Sequence, residues 1–162
     1  MRNLFFAVIF FLLIVLLINI RNLFRGDKPA EKIADHLPGD GISGDFYTSI
    51  IKHAESISVC FHIEQSKPLA VGERMKGIYR LAHMNGYNWD AFFRYYLPKY
   101  APDICANMTA DPEAGMYSAH YPLTPQNEAR AERFAILIRE LVEGGEELCR
   151  IVREESDKIE WN

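Results

Sequence analysis

An uninterrupted apolar run near the amino terminus constrains the fold of this chain most. Leu4 to Ile20 is seventeen residues long and contains one polar member, Asn19. As a helix this run is about 25 Å long, which approaches the thickness of the hydrocarbon core of a bilayer. A cleaved secretory signal has a shorter apolar stretch and a small-residue cleavage site, and no such site follows Ile20. The run predicts a transmembrane signal anchor at 4–20, a juxtamembrane linker at 21–44 and a soluble domain at 45–162.

The charges around the run indicate its orientation. Arg2 precedes it, whereas Arg21, Arg25 and Lys28 follow it. The positive-inside rule therefore favours a single-pass membrane protein whose soluble domain lies in the cytoplasm. The opposite orientation stays open because the tail before the run has only three residues.

The rest of the chain is acidic. Residues 29–162 contain 14 basic and 21 acidic side chains, a net charge of −7. Affinity for nucleic acid depends on Lys and Arg side chains that neutralise phosphates. The charge balance therefore excludes nucleic acid as the expected partner.

Helical periodicity dominates the soluble part. Apolar residues recur every three or four positions, and no stretch alternates convincingly over the length of a strand. The predicted fold is therefore all-α, with about four main helices behind the membrane anchor. The predicted helices cover Phe46–Gln65, Arg74–Asn85, Asn88–Leu97 and Thr124–Ile159. Gly86 fits the left-handed position that ends the second helix. Asn88 and Thr124 are the predicted N-cap residues of the third and fourth helices, and Pro125 takes the first turn of the fourth.

An aromatic-rich stretch, Asn85 to Tyr100, contains the third of these helices. Its spacing predicts one buried face, composed of Trp89, Phe92, Phe93 and Tyr96. Tyr95 and Tyr100 fall outside that face. These two side chains are therefore candidates for a binding pocket or an interface.

Residues 101–123 are predicted to form a long loop because they contain three prolines and no sustained period. Loops of this length are often functional. Tyr117, His120 and Tyr121 in this loop join Tyr95 and Tyr100 as candidate binding residues.

A histidine, a cysteine and a glutamate are the candidates for chemistry. If residues 46–65 are helical, His53, Cys60 and Glu64 lie along one edge of that helix. A thiol beside an imidazole could act as a nucleophile or supply half of a zinc site. No second cluster of ligands accompanies them, so neither a metal nor another cofactor is predicted.

The three cysteines are widely separated in the sequence: Cys60, Cys105 and Cys149. In a reducing compartment they are expected to be free thiols. In an oxidising compartment, Cys60 and Cys105 are the candidate pair for a disulfide.

The carboxy-terminal helix has an apolar face and an acidic outer face. Glu143, Glu146, Glu147 and Asp157 contribute to the outer face. Gly144-Gly145 either divides this helix into two packed pieces or leaves a long projecting helix. The acidic face is the predicted contact surface for a protein partner.

Three functional hypotheses follow. The leading hypothesis is a membrane-anchored interaction or accessory module that acts through protein–protein contacts. The alternative is a membrane-tethered enzyme or metal-binding domain that uses His53, Cys60 and Glu64, although catalysis is the less expected role. The third is a sensor or immunity-type domain that binds a small ligand or a toxin through the 101–123 loop and Tyr95.

Overall fold

The computed structural model describes residues 47–162, and within them four strands and four helices combine into an α/β fold. The strands form one antiparallel sheet in the order β1-β2-β4-β3. The prediction of an all-α helical bundle is therefore wrong. The elements in chain order are β1 (Thr48–Lys52), β2 (Ser56–His62), α1 (Ser66–Ile78), α2 (Gly86–Tyr100), β3 (Thr109–Pro112), β4 (Met116–Pro122), α3 (Pro125–Glu143), α4 (Glu146–Glu155) and a 3-10 turn (Ser156–Lys158).

A β-hairpin replaces the first predicted helix. In β2, Ile57, Val59 and Phe61 are buried and alternate with small polar residues, which is the pattern of a strand. Val59 pairs with Ile50 of β1 on one side and with Ala119 of β4 on the other. The same apolar residues also fit a helical stripe, so the local pattern did not distinguish the two structures. Pairing with distant strands decides between them.

A second hairpin occupies most of the predicted 101–123 loop. In β4, Tyr117, Ala119 and Tyr121 are at most 1 % exposed and face the core. Their alternation is typical of a strand, but the flanking prolines obscured it in the sequence. Because β4 lies between β2 and β3, this segment is a central part of the sheet.

The aromatic residues of α2 form the centre of the core, as their spacing predicts. The ring of Phe93 lies 5.1 Å from that of Tyr117 in β4 and 5.0 Å from that of Phe134 in α3. These contacts place α2 and α3 on the same face of the sheet. Four aromatic side chains of α2 are at most 7 % exposed: Trp89, Phe92, Phe93 and Tyr96.

The beginnings and ends of the first two helices differ from the prediction. The helix predicted over Arg74–Asn85 is α1, which begins at Ser66 and ends at Ile78. The side chain of Asn85, rather than that of Asn88, caps α2 and accepts a hydrogen bond from the Asn88 amide at 2.9 Å. Both asparagines are good N-cap residues, so the local sequence does not show which of them caps the helix. The cap therefore lies three residues earlier than predicted.

The carboxy-terminal helix is divided in two, which is one of the two predicted outcomes. Thr124 caps α3 by accepting a hydrogen bond from the Asn127 amide at 3.2 Å, and Pro125 takes the first helical position. The break follows at Gly144-Gly145, where Gly145 has a φ of +63°. This left-handed conformation favours glycine and turns α4 back towards α1.

The transmembrane anchor predicted at 4–20 and the linker predicted at 21–44 lie outside the described residues. Within residues 47–162, no helix combines the length and the apolar character needed to cross a membrane. The prediction of a single-pass membrane protein is therefore not supported by the described residues.

Candidate functional site

The proposed row of His53, Cys60 and Glu64 does not exist, because the residues belong to a hairpin. His53 lies in the exposed turn between β1 and β2, and Glu64 lies beyond the other end of β2. A strand of seven residues, such as β2, is about 23 Å long. These three side chains therefore cannot act on one ligand. Within residues 47–162, no cluster of three or more His, Cys, Asp or Glu side chains is placed to hold a metal ion.

The three cysteines are free thiols. Cys60 lies on β2, where it accepts a hydrogen bond from the Ser118 hydroxyl at 3.9 Å. Cys105 lies in the segment after α2 and donates to the Pro102 carbonyl at 3.1 Å. The Cys60–Cys105 disulfide considered for an oxidising compartment is not formed.

The three candidate binding residues of β4 are inside or close to the sheet. Tyr117 and Tyr121 are in the core, and burial raises the pKa of both phenols. Tyr121 donates to the Ile104 carbonyl at 3.1 Å. His120 is half-buried, with its Nδ1 atom 2.8 Å from the Ser58 hydroxyl. Neither tyrosine is accessible to a partner at the surface.

The two remaining candidates, Tyr95 and Tyr100, meet the acidic carboxy-terminal helix at one carboxylate. Both hydroxyl groups donate to Glu155 at the end of α4, and the Tyr100 bond is 2.9 Å long. The Nζ atom of Lys99 lies 2.5 Å from the same carboxylate. The two tyrosines and the acidic last helix, which were predicted separately as contact regions, therefore lie against each other. We call this place the α2–α4 surface, comprising Tyr95, Lys99, Tyr100, Glu147, Arg150 and Glu155.

The carboxylate of Glu155 is held in its charged form. Hydrogen bonds from Lys99, Tyr95 and Tyr100 lower its pKa from 4.5 to about 2, and the bond from Lys99 has the largest effect. The same contact raises the pKa of Lys99. Because Glu155 is only 6 % exposed, these donors replace water around its oxygens.

Arg150 organises the exposed part of the surface. Its Nε and Nη2 atoms donate to the two oxygens of Glu147 at 2.9 and 2.7 Å, and the fork lowers the pKa of that carboxyl. The guanidinium carbon lies 5.9 Å from the centre of the Tyr100 ring, and the Lys99 amine lies 4.8 Å from it. The ring therefore has a cation–π contact with each of two cations.

A shallow acidic depression adjoins this surface at the break between α3 and α4. It has a volume of about 550 Å³, and Glu140, Glu146 and Glu147 contribute carboxylates to its lining. Glu140 and Glu146 take part in no ion pair within the described part of the chain. The depression therefore offers negative charge that is available to a basic group.

The arrangement is suited to recognition. Tyr and Arg are enriched among the residues that dominate binding energy at protein interfaces. Here Tyr100 contacts Arg150, and Arg150 lines the same depression as Glu140 and Glu146. Lys99, Arg150 and Glu155 were not among the candidates predicted from the sequence. The position of Arg150 next to acidic residues was visible, but the packing of Glu155 against α2 depends on the turn at Gly145.

We expect acid to weaken the fold through Glu155. Its pKa is lower in the folded chain than in the unfolded chain, so the unfolded state takes up a proton first as the pH falls. The stabilisation is therefore complete above about pH 5 and is lost between about pH 4.5 and 2. Urea unfolding of the native chain and of Glu155→Gln, measured from pH 7 to pH 2.5, checks this. The difference in unfolding free energy should be constant above pH 5 and shrink below it, and a constant difference throughout would contradict the assignment.

One comparison with known proteins identifies a family. The model of the family named Immunity protein 51 matches residues 48–157, which is more than half of the chain and covers all four strands and all four helices described here. Neither a curated protein nor a solved structure matches the chain. The chain belongs to the Immunity protein 51 family.

Proposed function

We propose that this protein binds a protein toxin and blocks its action, and that it does so through the α2–α4 surface. The observation that carries the proposal is the match of residues 48–157 to a family of immunity proteins. An immunity protein, in the ordinary sense of the term, protects a cell from a toxin. Of the three hypotheses drawn from the sequence, the immunity-type binding domain is the one that the family supports.

Charge favours the α2–α4 surface, together with the acidic depression that adjoins it, as the contact region. The exposed residues Glu140 and Glu146 line the same depression as Arg150, whose guanidinium carbon lies 5.9 Å from the centre of the Tyr100 ring. A partner with a basic patch would gain both electrostatic attraction and a central aromatic contact. The formal net charge of −4 adds a long-range attraction for such a partner.

The test begins with growth rescue. Candidate toxin domains from the organism that carries the chain are expressed one at a time from a repressible promoter, with and without the chain. Rescue by the native chain from one of these toxins supports the proposal, and direct binding of the purified pair gives the affinity. If no toxin is neutralised, the proposed function is wrong.

Charge reversal then tests the surface. We expect Glu140→Lys with Glu146→Lys to weaken toxin binding at least tenfold, because the two new lysines would face the basic patch of the toxin and repel it. The matched control is Glu73→Lys with Glu113→Lys, which makes the same charge change at exposed positions of α1 and the β3–β4 turn. None of the four carboxylates forms an ion pair between residues 47 and 162, so neither pair of substitutions breaks an ion pair there. Equal loss of affinity in both variants would show that the toxin binds elsewhere.

A further inference from the structure

We propose that Glu155 is a positioning residue that holds Tyr100 as a rigid anchor for the toxin. This inference rests on the proposed function, because it assigns a role within the same surface. It differs from a claim of direct contact, since Glu155 is 6 % exposed and a partner could reach little of it.

The contacts of Glu155 come from several directions. From α2, Tyr95, Lys99 and Tyr100 donate to it. Arg150 in the preceding turn of α4 lies 3.4 Å away, and Lys158 in the terminal turn lies 3.9 Å away. One buried carboxylate thus connects the end of α2 to the end of α4.

Tyr100 is the exposed side chain that this network restrains most directly. It is 38 % exposed, its hydroxyl is bonded to Glu155, and its ring lies against Lys99 and Arg150. An aromatic side chain that is already fixed loses little rotational freedom on binding, which lowers the entropic cost of the complex. Loss of Glu155 should leave the ring present but mobile.

The kinetic test uses two variants that remove one negative charge each. Glu155→Gln removes the buried carboxylate. Asp157→Asn removes an exposed one only two residues away, which is not part of the α2–α4 surface as defined above. Both changes reduce long-range attraction equally, so we expect similar association rates. Only Glu155→Gln should raise the dissociation rate from the toxin identified by growth rescue, by about tenfold or more.

A second measurement needs no toxin. Relaxation of the aromatic 13C nuclei in the free chain reports the order of the Tyr100 ring on the picosecond-to-nanosecond timescale. We expect an ordered ring in the native chain and in Asp157→Asn, and a mobile ring in Glu155→Gln. An equally ordered ring in Glu155→Gln would overturn the inference whatever the toxin experiments show.

Thermal melting shows whether Glu155→Gln remains folded. If it does not, Tyr100→Phe replaces it, because this change removes the bond to Glu155 and keeps the ring. Tyr87→Phe, at an exposed tyrosine near the start of α2, is its control. Faster dissociation and a more mobile ring in Tyr100→Phe alone support the positioning role. Equal dissociation rates in a chain that binds toxin would overturn the role and leave the proposed function standing.

Discussion

Gly86→Ala is expected to destabilise the fold by about 3 kcal/mol or more and to lower the Tm by roughly 10 °C. A Cβ atom at this position would lie 1.8 Å from the Glu113 carbonyl oxygen and 2.4 Å from that of Met116. Both atoms belong to the backbone of the β3–β4 hairpin, which no side-chain rotation can move. The start of α2 would have to shift away from the sheet, and the Gly86 amide would lose its 3.1 Å bond to Ala114. Urea and thermal unfolding followed by tryptophan fluorescence would measure the loss.

Gly77→Ala is the matched control. Gly77 lies near the end of α1, and an added Cβ would meet no atom within 4 Å. Replacing a helical glycine by alanine in open space should stabilise the chain by about 0.5–1 kcal/mol. Opposite signs for the two substitutions would assign the Gly86 effect to contact with the hairpin. Similar effects would show that α2 does not approach the hairpin this closely.

Gly86 also illustrates which features the sequence could not reveal. Its position between two helical patterns predicted a left-handed residue at the end of a helix. In the structure it is the first residue of α2, and it is glycine because the β3–β4 hairpin lies beside it. The sequence indicated a special residue, but the reason depends on a hairpin that was interpreted as a loop.

The correct and the wrong predictions differ in where their stabilising contacts lie. The spacing of the α2 aromatic residues and the Thr124-Pro125 start of α3 are local signals, and both were interpreted correctly. The β2 residues Ile57 and Phe61 fit a helix and a strand equally well within their own segment. Pairing with β4, about sixty residues further along, selects the strand.

The candidate site divides in the same way. Tyr95 and Tyr100 could be selected because they fall outside the buried face of α2, and the acidic character of the last helix was evident. Glu155 gave no such signal, because a glutamate that follows Arg153 and Glu154, in a segment where aliphatic residues become sparse, resembles a solvated side chain. Its burial follows from the Gly144-Gly145 turn that returns α4 to α2.

Phe93→Ala is expected to cost about 3–5 kcal/mol, which is a large fraction of the stability of a domain of this size. The ring is 1 % exposed and joins three elements, with centroids 5.0–5.3 Å from those of Phe134 in α3, Tyr117 in β4 and Trp89 in its own helix. Removing the ring leaves a cavity, and the neighbouring rings cannot move far enough to fill it because their helices and strand are packed in place. The loss should therefore exceed the transfer free energy of the phenyl group alone.

Two variants separate this cavity from other effects of the substitution. Tyr87→Ala removes an aromatic ring from a position on α2 that is 42 % exposed, and we expect a change within about 0.5 kcal/mol. Phe93→Leu keeps most of the volume and should cost less than about 1.5 kcal/mol. If Phe93→Ala instead costs no more than Tyr87→Ala, the α2 rings do not form the core that joins the helices to the sheet. The orientation of Tyr95 and Tyr100 towards α4 would then lose its structural basis, because the packing of the buried face of α2 in the core also sets the direction in which these two side chains point.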